Sequence, residues 1–176
     1  NELDYTKEAQ NLVIIKENLK KFDNIIIPSP VNEYSSSKVL TMDFIEGKKI
    51  TSIGNLKKME TDFTPVIDDF VESYLKQVIV DGFAHADPHP GNIHLTKDDK
   101  VALMDLGMVA KFSPKQQKKI MTLMMGMGKK DGDDITDALL EMSEYDVKTA
   151  NLNDFRKNIN RLVMDSTSSN AEDMET

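Results

Sequence analysis

His85-Ala86-Asp87-Pro88-His89-Pro90-Gly91-Asn92, followed after a short hairpin by Asp105-Leu106-Gly107, is the stretch that decides the fold. Asp87, Asn92 and Asp105 supply oxygen donors in an order that suits a phosphate-bound divalent cation with a hydroxyl acceptor beside it. Magnesium prefers hard oxygen ligands and keeps several waters, so one carboxylate and one amide from the protein suffice. Asn92 opens one strand of the hairpin and Asp105 follows the other, and antiparallel pairing brings those ends together. Asp87 then stands beside the site, able to orient or deprotonate an incoming hydroxyl. Pro88 and Pro90 stiffen its loop and keep it out of a helix, while Gly91 and Gly107 permit tight backbone paths.

The flanking segments read consistently with that core. Residues 66–80 carry Ile67, Phe70, Val71, Tyr74, Leu75 and Val78 as a helical stripe, stopped by Asp81-Gly82. Residues 93–95 and 101–104 bracket Lys97-Asp98-Asp99-Lys100 as a hairpin. Further upstream, Leu12, Ile15, Leu19 and Phe22 predict a helix over 4–21, and Ile25-Ile26-Ile27 a short strand ending at Pro28. Residues 31–34 and 38–44 predict two strands joined across Ser35-Ser36-Ser37. Past Asp105 the pattern is helical, over 114–127, 131–142 and 152–163, the first opened by Ser113-Pro114. The polar, acidic stretch 166–176 predicts disorder.

Composition narrows the class. The 176 residues are 39% hydrophobic and 30% charged, as in an ordinary globular protein. The longest apolar runs, Ile25-Ile26-Ile27 and Val78-Ile79-Val80, are far too short to span a bilayer, and neither a transmembrane segment nor a secretory leader is expected. A net charge of −8 argues against nucleic acid as a partner. Lysines at 16, 20 and 21, and at 115, 118 and 119, read as solvated helix faces. The absence of cysteine excludes disulfides and thiolate metal sites.

A competing chemistry is present in the same stretch. His85, His89 and His94 are the three histidines of the chain, and His85-x-Asp87-x-His89 has ligand spacing for zinc or iron in a metal-dependent hydrolase. That reading leaves Asn92 and Asp105 unexplained.

His85-x-Asp87-x-x-x-x-Asn92 reproduces the spacing of the protein-kinase catalytic loop, and Asp105-Leu106-Gly107 stands where the kinase Asp-Phe-Gly stands. Residues 83–92 and 103–109 closely resemble the UbiB/ADCK family of atypical protein-kinase-like proteins, with Leu106 in place of the family's phenylalanine. Residues 39–47 resemble its strand and hinge, and Glu2-Leu3-Asp4-Tyr5 through Glu8-Ala9-x-Asn11 its regulatory helix. The resemblance implies an α+β, protein-kinase-like fold: a partial N-lobe over 1–47, a helical C-lobe over 48–165 and a disordered tail over 166–176. It implies that Asp87 is the catalytic aspartate, that Asn92 and Asp105 hold magnesium, and that Asp43, Phe44 and Ile45 meet the adenine of ATP. Glu8 would be the helix glutamate that pairs with a nucleotide-binding lysine. No lysine-bearing strand or phosphate-covering loop precedes it in this sequence, so the expectation is a partial domain with a weakened grip on ATP. The function implied is an ATP- and magnesium-dependent kinase or ATPase serving ubiquinone or isoprenoid-lipid biosynthesis. Its partners would be nucleotide and lipid or isoprenoid-pathway proteins, in the cytoplasm or peripherally at a membrane. A non-catalytic, pseudokinase-like interaction module is the alternative from another class.

Overall fold

Asp4 accepts a hydrogen bond from the Thr6 N–H at 3.2 Å and so starts helix α1 (Tyr5–Leu19). The computed structural model describes residues 4–54, 61–143 and 151–172. Along α1, Leu12, Ile15 and Leu19 are buried at helical spacing and face β1 (Ile25–Ile26) and the hairpin of β4 (Ile93–Thr96) and β5 (Val101–Leu103). Each such side chain contributes about 1.5–3 kcal/mol on full burial. Leu106 joins this core at 0% exposure, which anchors the segment after β5.

The main sheet has the order β1-β5-β4-β2, with β2 spanning Gly47–Lys49. β1 runs parallel to β5, and the other pairs are antiparallel, with Ile93 opposite Leu103 and Lys49 opposite His94. A second ladder pairs β3 (Phe83–His85) with β6 (Val109–Lys111), His85 opposite Val109. Helix α2 (Thr64–Lys76) leads into β3 through a π-helical turn, Gln77–Asp81, that ends at Gly82 with φ 61°, the left-handed region glycine enters without strain.

The chain divides into two units after Phe112, and the boundary expected after residue 47 falls inside the first, whose sheet takes strands from both sides of it. The second unit is helical. Ser113 and Gln116 form a reciprocal cap on α3 (Pro114–Lys129), and Asp131 caps α4 (Gly132–Met142). Arg156 on α5 (Leu152–Glu172) bridges Asp133 at 3.0 Å and Asp137 at 2.6 Å on α4. Helix α5 continues to Glu172, into the stretch whose composition predicts disorder; residues 173–176 lie outside the described ones.

Three local expectations are corrected. The two strands expected over 31–44 are replaced by a single 3-10 turn, Asn32–Tyr34, with isolated bridges at Pro30–Met42 and Ser36–Val39. Side chains take the ladder positions there: Ser35 Oγ donates to the Val31 carbonyl and accepts from the Thr41 N–H, while Thr41 Oγ1 donates to the Tyr34 carbonyl. On α2 the apolar stripe is buried only in part, with Phe70 packing against the core beside Val66. Ile67 and Val71 are exposed, whereas Ser73 and Gln77 just past its end are fully buried. His85 stands in a strand rather than on the loop, which begins at Ala86. No helix among the described residues is long and apolar enough to cross a membrane.

Candidate active site

The open end of the β4–β5 hairpin is closed by the Met104 N–H, which donates to the Asn92 carbonyl at 2.8 Å. This places Asp105, the next residue, beside Asn92. Asn92 closes a 3-10 turn, Pro90–Asn92, and its Nδ2 lies 3.5 Å from the Asp87 carbonyl, a long contact that leaves its amide oxygen free to ligate. His89 stiffens the same loop: Nδ1 accepts from the Gly91 N–H at 2.9 Å, and Nε2 lies 3.8 Å from an Asp87 carboxylate oxygen. Asp87, Asn92 and Asp105 are thus joined through one loop and one hairpin.

Asp105 has φ 57°, a left-handed conformation that costs a non-glycine residue about 1–2 kcal/mol. Its Oδ1 faces the Gly107 N–H at 3.4 Å. Glu8 comes to the same place from α1. A Cβ added at Gly107 would lie 3.3 Å from Asp105 Oδ1 and 3.5 Å from Glu8 Oε2, so the two carboxylates flank one glycine. Burial first, then the Asp105 charge, pushes the Glu8 carboxyl above its usual range; the Leu106 N–H, which donates to Glu8, pulls the other way. One turn further along α1, Asn11 Nδ2 donates to the Leu106 carbonyl at 2.8 Å.

The base of the loop is held by polar groups from α2. Gln77 Oε1 accepts from the His85 N–H at 3.1 Å, Gln77 Nε2 donates to the Ser73 carbonyl, and Tyr74 Oη donates to the His85 carbonyl at 3.0 Å. His85 is 1% exposed, and burial holds its imidazole below the ordinary range, against the opposing pull of the Met108 carbonyl and of Asp105 and Asp87. Sequence reasoning assigned Gln77 and Tyr74 no part in the site, and Asn11 entered only through the family resemblance. Their polarity on otherwise apolar helix faces is the signal that marks them.

The hinge residues make a different set of contacts. The Asp43 carboxylate accepts from the Ser29 N–H at 3.0 Å and lies 4.0 Å from Lys16 Nζ, which also bonds Ser29 Oγ. These hydrogen bonds from Ser29 keep the Asp43 carboxyl below its usual range. The Asp43 N–H is also taken, by the Ser29 carbonyl, while Phe44 is 89% exposed and Ile45 half-buried. No hydrogen bond among the described residues joins Asp43, Phe44 or Ile45 to Asp87, Asn92 or Asp105. The hydrolase geometry is also missing: among the described residues no three of His, Asp and Glu gather closely enough to hold a metal ion. A magnesium site with one carboxylate, one amide oxygen and phosphates does not require such a group.

Residues 1–139 match the ABC1 atypical kinase-like domain. The chain belongs to the ABC1 atypical kinase-like family. This bears out the atypical kinase-like family and the α+β, kinase-like fold that the motifs imply. It is 36% identical over 143 residues to ACTIVITY OF BC1 COMPLEX KINASE 8 (chloroplastic) of Arabidopsis thaliana, an alignment covering 80% of this chain and 19% of that protein. It is 26% identical over 174 residues to ACTIVITY OF BC1 COMPLEX KINASE 7 of the same plant, covering 99% of this chain and 25% of that one. The chain therefore spans a fifth to a quarter of the length of these ABC1 relatives. Among solved structures, Rv3197 of Mycobacterium tuberculosis, determined with erythromycin, superposes with a TM-score of 0.52 at 25% identity, over 78% of this chain and 34% of that one.

Proposed function

We propose that this chain carries the metal- and acceptor-binding part of an ATP- and magnesium-dependent atypical kinase or ATPase. The observation that carries the reading is the Met104–Asn92 hydrogen bond, which sets Asn92 and Asp105 side by side at the end of the hairpin with Asp87 on the adjoining loop. The donor set fits magnesium: one carboxylate and one amide oxygen, both hard, with room for phosphates and water. Asn92 Oδ1 and the Asp105 carboxylate would hold the ion, which when bound neutralises charge on the transferring phosphoryl group. The Asp87 carboxylate, on the loop whose backbone carbonyl meets Asn92, would orient the attacking hydroxyl or water and take its proton as the new O–P bond forms and the bond from the γ-phosphorus to the bridging oxygen breaks, releasing ADP. The Phe44 and Ile45 backbone would meet the adenine, and Glu8 would close the site from α1.

By resemblance the reaction serves ubiquinone or a related isoprenoid lipid. The partners would be nucleotide and isoprenoid-pathway proteins, and the working place the cytoplasm or a membrane surface. The second reading is a non-catalytic interaction module, favoured by one observation: Glu8 meets the Leu106 N–H and the Asp105 carboxylate, with no lysine among the described residues taking the pairing role. Thermal unfolding with ATP and magnesium separates the two. A rise in Tm that needs both ligands and is lost in Asp105→Asn supports the kinase reading; no rise with either ligand supports the module.

A further inference from the structure

We infer that Asn11 is a positioning residue for Asp105, acting through the backbone of Leu106. The inference rests on the proposed function only in taking Asp105 as a metal-holding group. Asn11 is 9% exposed on the face of α1 that otherwise buries Leu12, Ile15 and Leu19. An amide on such a face carries a desolvation cost unless it is bonded, and its bond goes to the carbonyl of a residue 95 positions away.

The geometry gives that bond a consequence. The Leu106 N–H belongs to the peptide plane between 105 and 106, and the Glu8 carboxylate stands beside Gly107 and Asp105 on that side. The Leu106 carbonyl belongs to the next plane, and Asn11 donates to it. That second plane also carries the Gly107 N–H, which faces Asp105 Oδ1 at 3.4 Å. The Asn11 bond therefore fixes the second peptide plane after Asp105, while the fully buried Leu106 side chain fixes the residue between the two planes. A left-handed aspartate persists only where its surroundings over-determine it, and this pinch supplies that constraint. Asn11 sets the direction of the Gly107 N–H, and the Gly107 N–H sets the Asp105 carboxylate.

The test uses the whole chain and two readouts. Asn11→Leu removes the donor at similar volume, Asn11→Ser removes its reach without adding apolar bulk, and Asn11→His restores a donor at the same distance from Cα. Ile15→Val, on the same helix face, controls for general loosening. The first readout is amide hydrogen exchange at Leu106 and Gly107 without ligand. Losing one hydrogen bond should speed exchange there about tenfold in the leucine and serine variants, and much less in the histidine variant and the Ile15 control. The second is paramagnetic broadening of the Asp105 and Gly107 amide signals by manganese alone, whose half-saturation should rise about tenfold in the same two variants. Unchanged exchange in a folded Asn11→Ser protein, or equal acceleration in Ile15→Val, overturns the positioning role. If manganese leaves the wild-type signals untouched, the metal assignment fails, while the exchange contrast still decides the role of Asn11. If Asn11→Leu does not fold, the serine and histidine pair carries the comparison.

Discussion

Tyr74 Oη donates to the His85 carbonyl at 3.0 Å while Gln77, three residues on, accepts from the His85 N–H at 3.1 Å. The last residue before the loop that carries Asp87 is thereby clamped at both backbone groups by one helix and its π-helical extension. Gln77→Leu leaves a buried N–H unsatisfied and should cost about 1–3 kcal/mol, whereas Tyr74→Phe, at a less buried hydroxyl, should cost about 0.5–1.5 kcal/mol. Urea unfolding of the two variants measures both. Equal midpoints for Gln77→Leu and the parent would remove the clamp from the account.

Glu8 makes the fold sensitive to pH in one direction. Its carboxyl is raised by burial and by Asp105, so the folded state keeps a proton that the unfolded chain releases near 4.5. The stabilising contribution is full below that value and is lost as pH rises through the folded one. Glu8→Gln keeps an oxygen for the Leu106 N–H but has no charge. Its Tm should match the parent's near pH 4 and exceed it by a growing margin toward pH 7. A constant difference across that range contradicts the repulsion between Glu8 and Asp105.

His85 works with the opposite slope. Burial lowers its pKa from 6.5, so the unfolded state binds the proton first as pH falls. Stability from this group is present above about 6.5 and drains away as pH drops toward the depressed folded value. The imidazole C2–H chemical shift, followed by NMR from pH 8 to 5, should stay that of a neutral ring well below the midpoint of an exposed histidine. A midpoint at or above 6.5 rules this out.

The helices of the second unit pack at a glycine. A Cβ added at Gly132 would collide with the Asn160 side chain and sit 3.0 Å from the Asn160 Cα, where α4 begins against α5. Gly132→Ala should therefore destabilise the unit by about 1–3 kcal/mol through overpacking, despite alanine's higher helix propensity. Gly128→Ala, with nothing within 4 Å of its added Cβ, is the matched control and should be neutral or slightly stabilising. Similar unfolding midpoints for the two would refute the packing argument.

How much of this was legible depends on how local the cause was. The hairpin, α1, the cap at Ser113 and the order of Asp87, Asn92 and Asp105 follow from spacing and turn chemistry within a few residues, and they stand in the structure. The strands expected over 31–44 did not form, because Ser35 and Thr41 offer the backbone side-chain partners that no apolar alternation registers. The buried face of α2 was legible only in part, for a nonlocal reason. Gln77 is inside where it accepts from the His85 N–H and donates to the Ser73 carbonyl, and β3 pairs with β6, more than twenty residues along the chain. The Asn11–Leu106 bond spans 95 positions, beyond the reach of any window of sequence.

Asp87 and Asp105 carry the same charge but should fail differently when neutralised. Asp105 neighbours Asn92 at the hairpin mouth, so on the proposed reading Asp105→Asn removes a ligand and should abolish the magnesium-dependent rise in Tm with ATP. Asp87 is tied to the site through its own carbonyl, and its carboxylate lies 3.8 Å from His89 Nε2. Asp87→Asn should keep the nucleotide- and magnesium-dependent rise, because binding does not use that carboxylate, and lower the rate of phosphate release or transfer by about 10²–10⁴-fold. Thermal unfolding and a phosphate-release assay on the same samples read the two effects separately. Loss of the Tm rise in Asp87→Asn would make Asp87 a ligand rather than the acceptor's base, and unchanged turnover would take it out of the chemistry.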